Sequence, residues 1–313
     1  MHGRKKRVLS DAEVESLRVK TEGYIKLSSA ISLMKQEKRR DVATLDLMQK
    51  MLIMNPDFYS LWNYRREILE HEFSDKPFDK EAGERELILS SQAIQKNPKS
   101  YPAWHHRLWV GSKVAGGIDY KEEIRLCDKF LSVDQRNFHC WNYRREVVKL
   151  GNISANDEME FSMKKIGENF SNYSAFHHRS VYLRTCEGDV NDILEKELSI
   201  VHDAIFTEPD DQSAWWYYQF LINWGNSATE ANAESRLRFE DVLHQEIETV
   251  RSLLELEADS KWAMVTLAYL LQIFITKRNN NNEVLIDERR NLLERLCELD
   301  KAHKNRYLYL LSC

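Results

Sequence analysis

The chain has 313 residues, of which 42% are hydrophobic and 30% are charged, a composition that excludes a disordered protein. The net charge of −5 argues against nucleic acid as a partner, and 10 Gly and 5 Pro are too few for the turns of a many-stranded β fold. No apolar stretch is long enough for a transmembrane segment, and no secretion signal is recognisable. The sequence therefore predicts a cytoplasmic protein whose 5 cysteines are reduced.

The chain begins with a basic segment, MHGRKKR. We expect residues 1–10 to form a mobile arm, which is either a frayed end or a docking or localisation element. Acidic and apolar residues follow from Asp11 onwards in a helical pattern.

From residue 59 onwards one pattern recurs: an aromatic residue, a second one three residues later, and an arginine three residues after that. The clearest copies are Tyr59–Trp62–Arg65, Tyr101–Trp104–Arg107, Phe138–Trp141–Arg144 and Tyr173–Phe176–Arg179. This spacing places the three side chains on one face of a helix. We call the middle residue the central position, and its later occupants are Trp215, Met264 and Tyr307. The arginines are expected to stack on a ring or to bind the carbonyls that end a neighbouring helix.

A second amphipathic helix is predicted between successive central positions, for example over residues 84–95, 121–133 and 195–206. Each repeat is therefore a helical hairpin, and the hairpins must stack because none can bury its own apolar face. The central positions recur at irregular intervals of 35 to 49 residues, unlike a tetratricopeptide array. We predict an all-α solenoid of about seven helical hairpins that forms one domain over residues 1–313.

Three prolines mark the repeats. Pro56, Pro98 and Pro209 are predicted to lie in the first turn of a helix, where a missing amide hydrogen is tolerated. Asn55 and Asn97 stand directly before two of them and are expected to end the preceding helix.

Two adjacent repeats depart from the others five residues before the central position. This position is expected at or just inside a helix amino terminus, where the helix dipole favours acidic or capping residues. Four copies follow that rule, with Asp57, Ser171, Asp210 and Asp259. The second and third copies instead carry Lys99 and Arg136, and the third alone has a histidine, His139, two residues before its central position. Stacking would bring these three together, either as an anion site or as solvated surface cations.

The sequence contains none of the usual catalytic signatures. The histidines lack the spacing of metal ligands, and no nucleotide-binding loop, nucleophile elbow or kinase motif is present. From the residues alone the chain does not look like a complete enzyme, and a non-catalytic helical-repeat scaffold stays an open alternative.

The segments NPKSYPAWHHR, RNFHCWNYRR, NFSNYSAFHHR and PDDQSAWWYY resemble the α subunits of protein prenyltransferases. MHGRKKR and RNFHCW make the chain most similar to the Rab geranylgeranyltransferase (type II) branch. The resemblance implies a right-handed α-α superhelix, shaped as a crescent around a β subunit that holds zinc. The implied heterodimer transfers geranylgeranyl from its diphosphate to C-terminal cysteines of Rab GTPases, which an escort protein presents.

The resemblance also implies roles for single residues. Lys99 matches the lysine that contacts the lipid diphosphate. Phe138 and His139 match a Tyr–His pair of the farnesyl enzymes, so that only His139 keeps its polar group. Pro102 replaces a glutamine that binds the carboxylate of C-a-a-X peptides, which disfavours peptide recognition. The predicted catalytic residues are thus Lys99 and His139, and the predicted substrate-binding residues are Arg136, Tyr101 and Phe138.

Two further expectations depend on this resemblance. The alternative within the family is the α subunit shared by farnesyltransferase and type I geranylgeranyltransferase, against which Pro102 and Phe138 argue. No metal is expected in this chain, although His2 on the basic arm is a speculative ligand for the zinc of the partner.

Overall fold

The computed structural model describes residues 9–74, 76–278 and 282–312. Within these ranges the only regular structure beyond helix is one isolated parallel bridge between Phe78 and Val114. The predicted all-α class is confirmed. The contacts divide the chain into two compact units, with the boundary between Ile153 and Ser154. That the chain forms one domain stays a prediction.

The first unit contains seven described helices. They are α1 (Asp11–Gln36), α2 (Val42–Met54), α3 (Tyr59–Phe73), α4 (Lys80–Lys96), α5 (Tyr101–Lys113), α6 (Tyr120–Val133) and α7 (Phe138–Leu150). α1 packs on α2, and the hairpins are α2–α3, α4–α5 and α6–α7. Neighbouring hairpins stack through α2 on α4, α3 on α5, and α5 on α7.

The second unit repeats the arrangement with four hairpins among its described residues. Its helices are α8 (Ala155–Glu168), α9 (Tyr173–Leu183), α10 (Val190–Thr207), α11 (Gln212–Thr229), α12 (Ala233–Leu256), α13 (Lys261–Arg278), α14 (Glu283–Leu299) and α15 (Lys304–Ser312), with a 3-10 turn at Lys301–His303. The hairpins are α8–α9, α10–α11, α12–α13 and α14–α15. With the three of the first unit they make up the predicted seven.

The central position of every repeat lies in a core. All seven occupants are buried: Trp62, Trp104, Trp141, Phe176, Trp215, Met264 and Tyr307. Each tryptophan also donates its indole N–H to a carbonyl six residues earlier in the chain, over 2.8–2.9 Å. A large apolar side chain contributes about 2–3 kcal/mol on burial, and the indole bond fixes the loop that precedes the helix.

The prolines take a different place from the one predicted. The helices that follow Pro56, Pro98 and Pro209 begin three residues later, so these prolines lie in the turn and not in the first helical turn. Their carbonyls accept the indole bonds from Trp62, Trp104 and Trp215. The prolines therefore shape a bend that presents a carbonyl to the core.

Three of the repeated arginines, Arg65, Arg107 and Arg179, each bind a buried glutamate that the sequence analysis missed. Arg107 of α5 makes two bonds of 2.6 Å to Glu123 of α6, and its third nitrogen donates to the Leu87 carbonyl at 2.8 Å. Tyr143 of the next repeat donates to Glu123 at 2.6 Å. The expected bond to a carbonyl is thus present, but the main partner is a carboxylate. Three hydrogen bonds compensate for the desolvation of this carboxylate.

The preceding repeat uses a histidine in place of the tyrosine. Glu86 accepts two bonds from Arg65, and His106 Nε2 lies 2.9 Å from Glu86 Oε2. Burial raises the pKa of Glu86, but the bonds from His106 and Arg65 outweigh it and lower the pKa to about 2. Burial lowers the pKa of His106 to about 4, although Glu86 opposes the shift. An ionised glutamate thus accepts a bond from a neutral imidazole.

Candidate functional site

The residue five before each central position lies just outside its helix. Lys99 stands two residues before the first residue of α5, and Arg136 stands two residues before that of α7. The predicted site therefore belongs to the loops that join the two helices within each hairpin. In the first unit these loops are 55–58, 97–100 and 134–137, which we call the loop row.

Hydrogen bonds hold the loop row side by side. Asn97 donates to Asp57 Oδ2 at 2.8 Å, and Ser100 donates to the Pro56 carbonyl at 2.9 Å. Asn137 donates to the Pro98 carbonyl at 2.9 Å. The second loop is thus bonded to both neighbours, which fixes the positions of the residues that it carries.

Lys99 extends from the middle loop into solvent. Its side chain is 70% exposed, and its ammonium lies 3.5 Å from Asp134 Oδ2 of the third loop. Partial burial lowers the pKa of His139, the negative charge of Asp57 opposes this shift, and the positive charge of Lys99 adds to it. Near neutral pH, His139 is therefore an uncharged imidazole beside an exposed cation.

A row of exposed aromatic rings borders this cation. The Tyr101 ring stacks on Tyr59 with centroids 6.3 Å apart and meets His139 edge-on at 6.1 Å. Phe138 and His139 have ring centroids only 3.9 Å apart. More than half of the surface of Tyr101 and of Phe138 is exposed. Ring faces of this kind offer an apolar surface to a partner or ligand.

An open cavity of about 330 Å³ lies between α5 and α7, next to these rings. Tyr101, His105, His139 and Arg145 are among the residues that line it. The pKa of His105 is lowered by partial burial and by the nearby charge of Arg66. The cavity therefore combines aromatic faces with uncharged imidazoles, and its lining includes one cation, Arg145, and one carboxylate, Glu146. The aromatic faces suit an apolar group, and the exposed Lys99 beside them suits an anionic one.

The structure brings most of the predicted site residues together. Lys99, Tyr101, Phe138 and His139 lie at one edge of the first unit, and Arg136 lies in the third loop of the loop row. Their roles in catalysis and substrate binding stay predictions. His2 lies outside the described residues.

The sequence analysis missed Asp134, the partner of Lys99. Seven residues before the central position, the first, second and fourth repeats carry Asn55, Asn97 and Asn169, whereas the third carries Asp134. In all four, the side-chain Oδ1 accepts from the amide two residues later, over 2.9–3.2 Å. The fifth, sixth and seventh repeats carry Glu208, Glu257 and Asp300 at this position, so that Asp134 is the single acid only among the first four repeats.

No cluster of three or more His, Cys, Asp or Glu suited to a metal ion occurs among the described residues. Within the same ranges, none of the helices combines the length and the apolarity of a membrane span.

Comparison with known proteins agrees with this architecture. The pattern of the protein prenyltransferase alpha subunit repeat matches residues 43–72, 84–113, 120–150, 155–186 and 194–225. A geranylgeranyl transferase type-2 subunit alpha from Dictyostelium discoideum is 35% identical over 319 residues, which cover 98% of each chain. The human protein of the same name is 38% identical over 237 residues, covering 71% of this chain and 42% of the human one. The chain thus spans less than half the length of the mammalian relatives that it matches.

A chain of Candida albicans protein geranylgeranyltransferase-I complexed with GGPP has the same fold, with a TM-score of 0.72 at 20% identity, covering 99% of this chain and 95% of that one. The 35% identity to the Dictyostelium protein over nearly the whole chain, together with the repeat match, shows the class of protein: the chain belongs to the protein prenyltransferase α-subunit family. Within the family, the Dictyostelium and human sequence relatives are type-2 geranylgeranyl transferase α subunits, so the predicted branch is confirmed.

Proposed function

We propose that the chain is the α subunit of a heterodimer that transfers geranylgeranyl from its diphosphate to C-terminal cysteines of Rab GTPases. The observation that carries the proposal is the placement of an exposed cation, Lys99, beside the neutral His139 and the Tyr101 ring at one edge of the first unit. Membership of the type-2 branch supports geranylgeranyl as the transferred group.

The reaction forms a bond between the cysteine sulfur and C1 of the prenyl chain and breaks the bond from C1 to the diphosphate oxygen. The diphosphate leaves with the electron pair, and the thiol loses its proton. In this proposal the exposed ammonium of Lys99 stabilises the negative charge that grows on the departing diphosphate. His139, as an uncharged imidazole, can donate one N–H to the same group.

The strength of this contact sets the expected effect on rate. A charge-assisted hydrogen bond contributes about 1.5–3 kcal/mol. If Lys99 makes such a contact only as the diphosphate departs, its loss slows transfer by roughly tenfold to a hundredfold.

The chemistry of the chain requires a partner. We infer that a β subunit supplies most of the lipid pocket and a zinc ion, which would lower the pKa of the substrate thiol and hold it near C1. This inference is supported by the family, whose members are subunits. A Rab escort protein and Rab GTPases complete the proposed set of partners.

Specificity for presented Rab proteins over free peptides rests on Pro102. This residue is buried at the start of α5 and has no amide hydrogen to donate to a peptide carboxylate. Phe138 likewise lacks a hydroxyl. Both features favour substrates that a second protein delivers.

The test is co-expression of the chain with a type-2 β subunit, followed by transfer of labelled geranylgeranyl to a Rab with and without escort protein. We expect escort-dependent transfer. Transfer to a free C-a-a-X peptide would instead identify the α subunit shared with farnesyltransferase, and a stable complex without transfer would favour a scaffold.

A further inference from the structure

The carboxylate of Asp134 has two different contacts. Its Oδ1 accepts from the backbone amide of Arg136 at 3.1 Å, and its Oδ2 lies 3.5 Å from the ammonium of Lys99. The first contact closes the turn after α6. The second reaches across to the neighbouring loop, and only this one needs a charge.

The other repeats show that the turn does not need an acid. Asn55 and Asn97 accept from the amide two residues later with the same geometry, at 3.2 and 3.1 Å. A carbonyl oxygen of asparagine therefore suffices as the acceptor. Among the three loops of the loop row, only the third carries an acid at this position, and that acid contacts Lys99.

The negative charge of Asp134 is unfavourable in two ways: it lies at the negative end of a helix dipole, and it repels an anionic ligand of Lys99. Asp134 is the carboxyl-terminal cap of α6, where the helix dipole already disfavours an acid. Its side chain is 37% exposed and Lys99 is 70% exposed, so that their attraction is screened by solvent and is weak. A weak pair holds the ammonium in place and can be broken when a ligand of higher charge arrives.

We propose that Asp134 is a positioning residue that holds Lys99 in the empty site and competes with the diphosphate for it. Binding of the prenyl diphosphate transfers the ammonium from the carboxylate to the ligand. Once the prenyl group has left, the same carboxylate recovers Lys99 and speeds the release of inorganic diphosphate. This inference rests on the proposed function, because it takes the ligand of Lys99 to be a diphosphate.

The test is the isosteric variant Asp134→Asn in the heterodimer, which keeps the turn acceptor and removes the charge. We expect geranylgeranyl diphosphate and inorganic diphosphate to bind about two- to fivefold more tightly, the range that exposed ion pairs span. KM for the prenyl diphosphate should fall, whereas inhibition by inorganic diphosphate should become stronger. Damage to the fold would weaken binding, so the direction of the change separates the two effects.

Asp119→Asn is the matched control. Asp119 caps the other end of α6 and accepts from the amides of Lys121 and Glu122, so the same substitution removes a charge from the same helix without touching Lys99. Its diphosphate affinity should equal that of the wild type. In a Lys99→Ala background the effect of Asp134→Asn should fall by at least half, since the competition has been removed.

Unchanged or weaker diphosphate binding by Asp134→Asn, with wild-type binding intact, would overturn this inference alone. Failure of the wild-type heterodimer to bind geranylgeranyl diphosphate would overturn the proposed function, and the inference with it.

Discussion

The same two helices of the first unit are joined by two ion pairs in opposite surroundings. In the middle, Arg107 of α5 binds Glu123 of α6 at 2.6 Å, with 6% of the arginine and 5% of the glutamate side chain exposed. At the end, Lys99 before α5 meets Asp134 after α6 at 3.5 Å, and 70% of the lysine is exposed. The buried pair is fully hydrogen-bonded and has no capacity for a ligand, whereas the exposed pair can exchange its partner. The degree of burial thus distinguishes the structural pair Arg107–Glu123 from the pair Lys99–Asp134, which is available to a ligand.

The largest expected effect comes from breaking the buried pair. Arg107→Ala leaves the charge of Glu123 buried without its main partner, which destabilises a fold by about 3–5 kcal/mol. The measurement is chemical unfolding of the purified chain. Arg125→Ala is the control, because Arg125 pairs with Glu122 on the exposed face of α6, the helix that carries Glu123. The unfolding midpoint of this variant should equal that of the wild type. Equal midpoints for the two variants would contradict the distinction between them.

The second effect is a loss of stability in acid, caused by His106. Its pKa falls from 6.5 to about 4 on folding, so between these values the unfolded chain binds more protons and stability falls as pH decreases. The loss is on the order of 3 kcal/mol between pH 6.5 and 4, at 1.36 kcal/mol for each unit of pKa. Below pH 4.5, protonation of Glu86 adds to it, because the pKa of Glu86 is lowered to about 2.

The variant His106→Tyr isolates this contribution. It places in the second repeat the tyrosine that binds Glu123 in the next one, as Tyr143. The pH dependence of unfolding between pH 7 and pH 5 should then be clearly smaller than in the wild type, with a residual slope from His105 and His139, whose pKa values are also lowered. A slope equal to that of the wild type would assign the acid sensitivity to another group.

Removing the exposed cation should affect rate and not stability. Lys99→Ala is expected to slow single-turnover prenyl transfer by roughly tenfold to a hundredfold while the heterodimer still forms. Lys121→Ala, at the exposed start of α6, serves as the matched control. An unchanged rate in Lys99→Ala would remove Lys99 from the proposed site.

The smallest effect concerns the aromatic row. Phe138→Tyr adds a hydroxyl beside His139, and a neutral hydrogen bond contributes about 0.5–1.5 kcal/mol. If the ring faces the diphosphate, affinity for geranylgeranyl diphosphate should rise by about twofold to tenfold. Tyr173→Phe changes the equivalent ring of the second unit and should have no effect. A neutral result for Phe138→Tyr would place the ring away from the diphosphate.

The fold follows from features that sequence periodicity reports directly. Aromatic residues at helical spacing, such as Trp62 and Trp104, predict both the helix and its buried face because burial and periodicity have the same cause. Asn55 and Asn97 likewise end α2 and α4 as predicted. Hydrophobic patterns cannot report Glu86 or Glu123, since a charged residue on an apolar face is informative only when its partner on another helix is known.

The site was predictable in part for a related reason. Lys99 and His139 stand out because they differ from the equivalent residues of other repeats. The pairing of Lys99 with Asp134 depends on how neighbouring loops align, which the bonds from Asn97 and Asn137 determine in three dimensions. The prediction that Pro56 and Pro98 lie in the first helical turn was wrong because it considered only the missing amide hydrogen. Their positions depend on the hydrogen bond that each proline carbonyl accepts from a tryptophan indole.

The bond from the indole to the loop has a consequence for how such repeats diversify. Trp104 anchors the Pro98 carbonyl, one residue before Lys99, and Trp62 anchors the Pro56 carbonyl, one residue before Asp57. The anchor uses only the backbone of the loop, so the side chain next to it can change sign without disturbing the bend. A new charge at this edge therefore requires one substitution and no refolding. Within a single chain, ancestral copies could acquire distinct chemistry while sharing one unaltered framework.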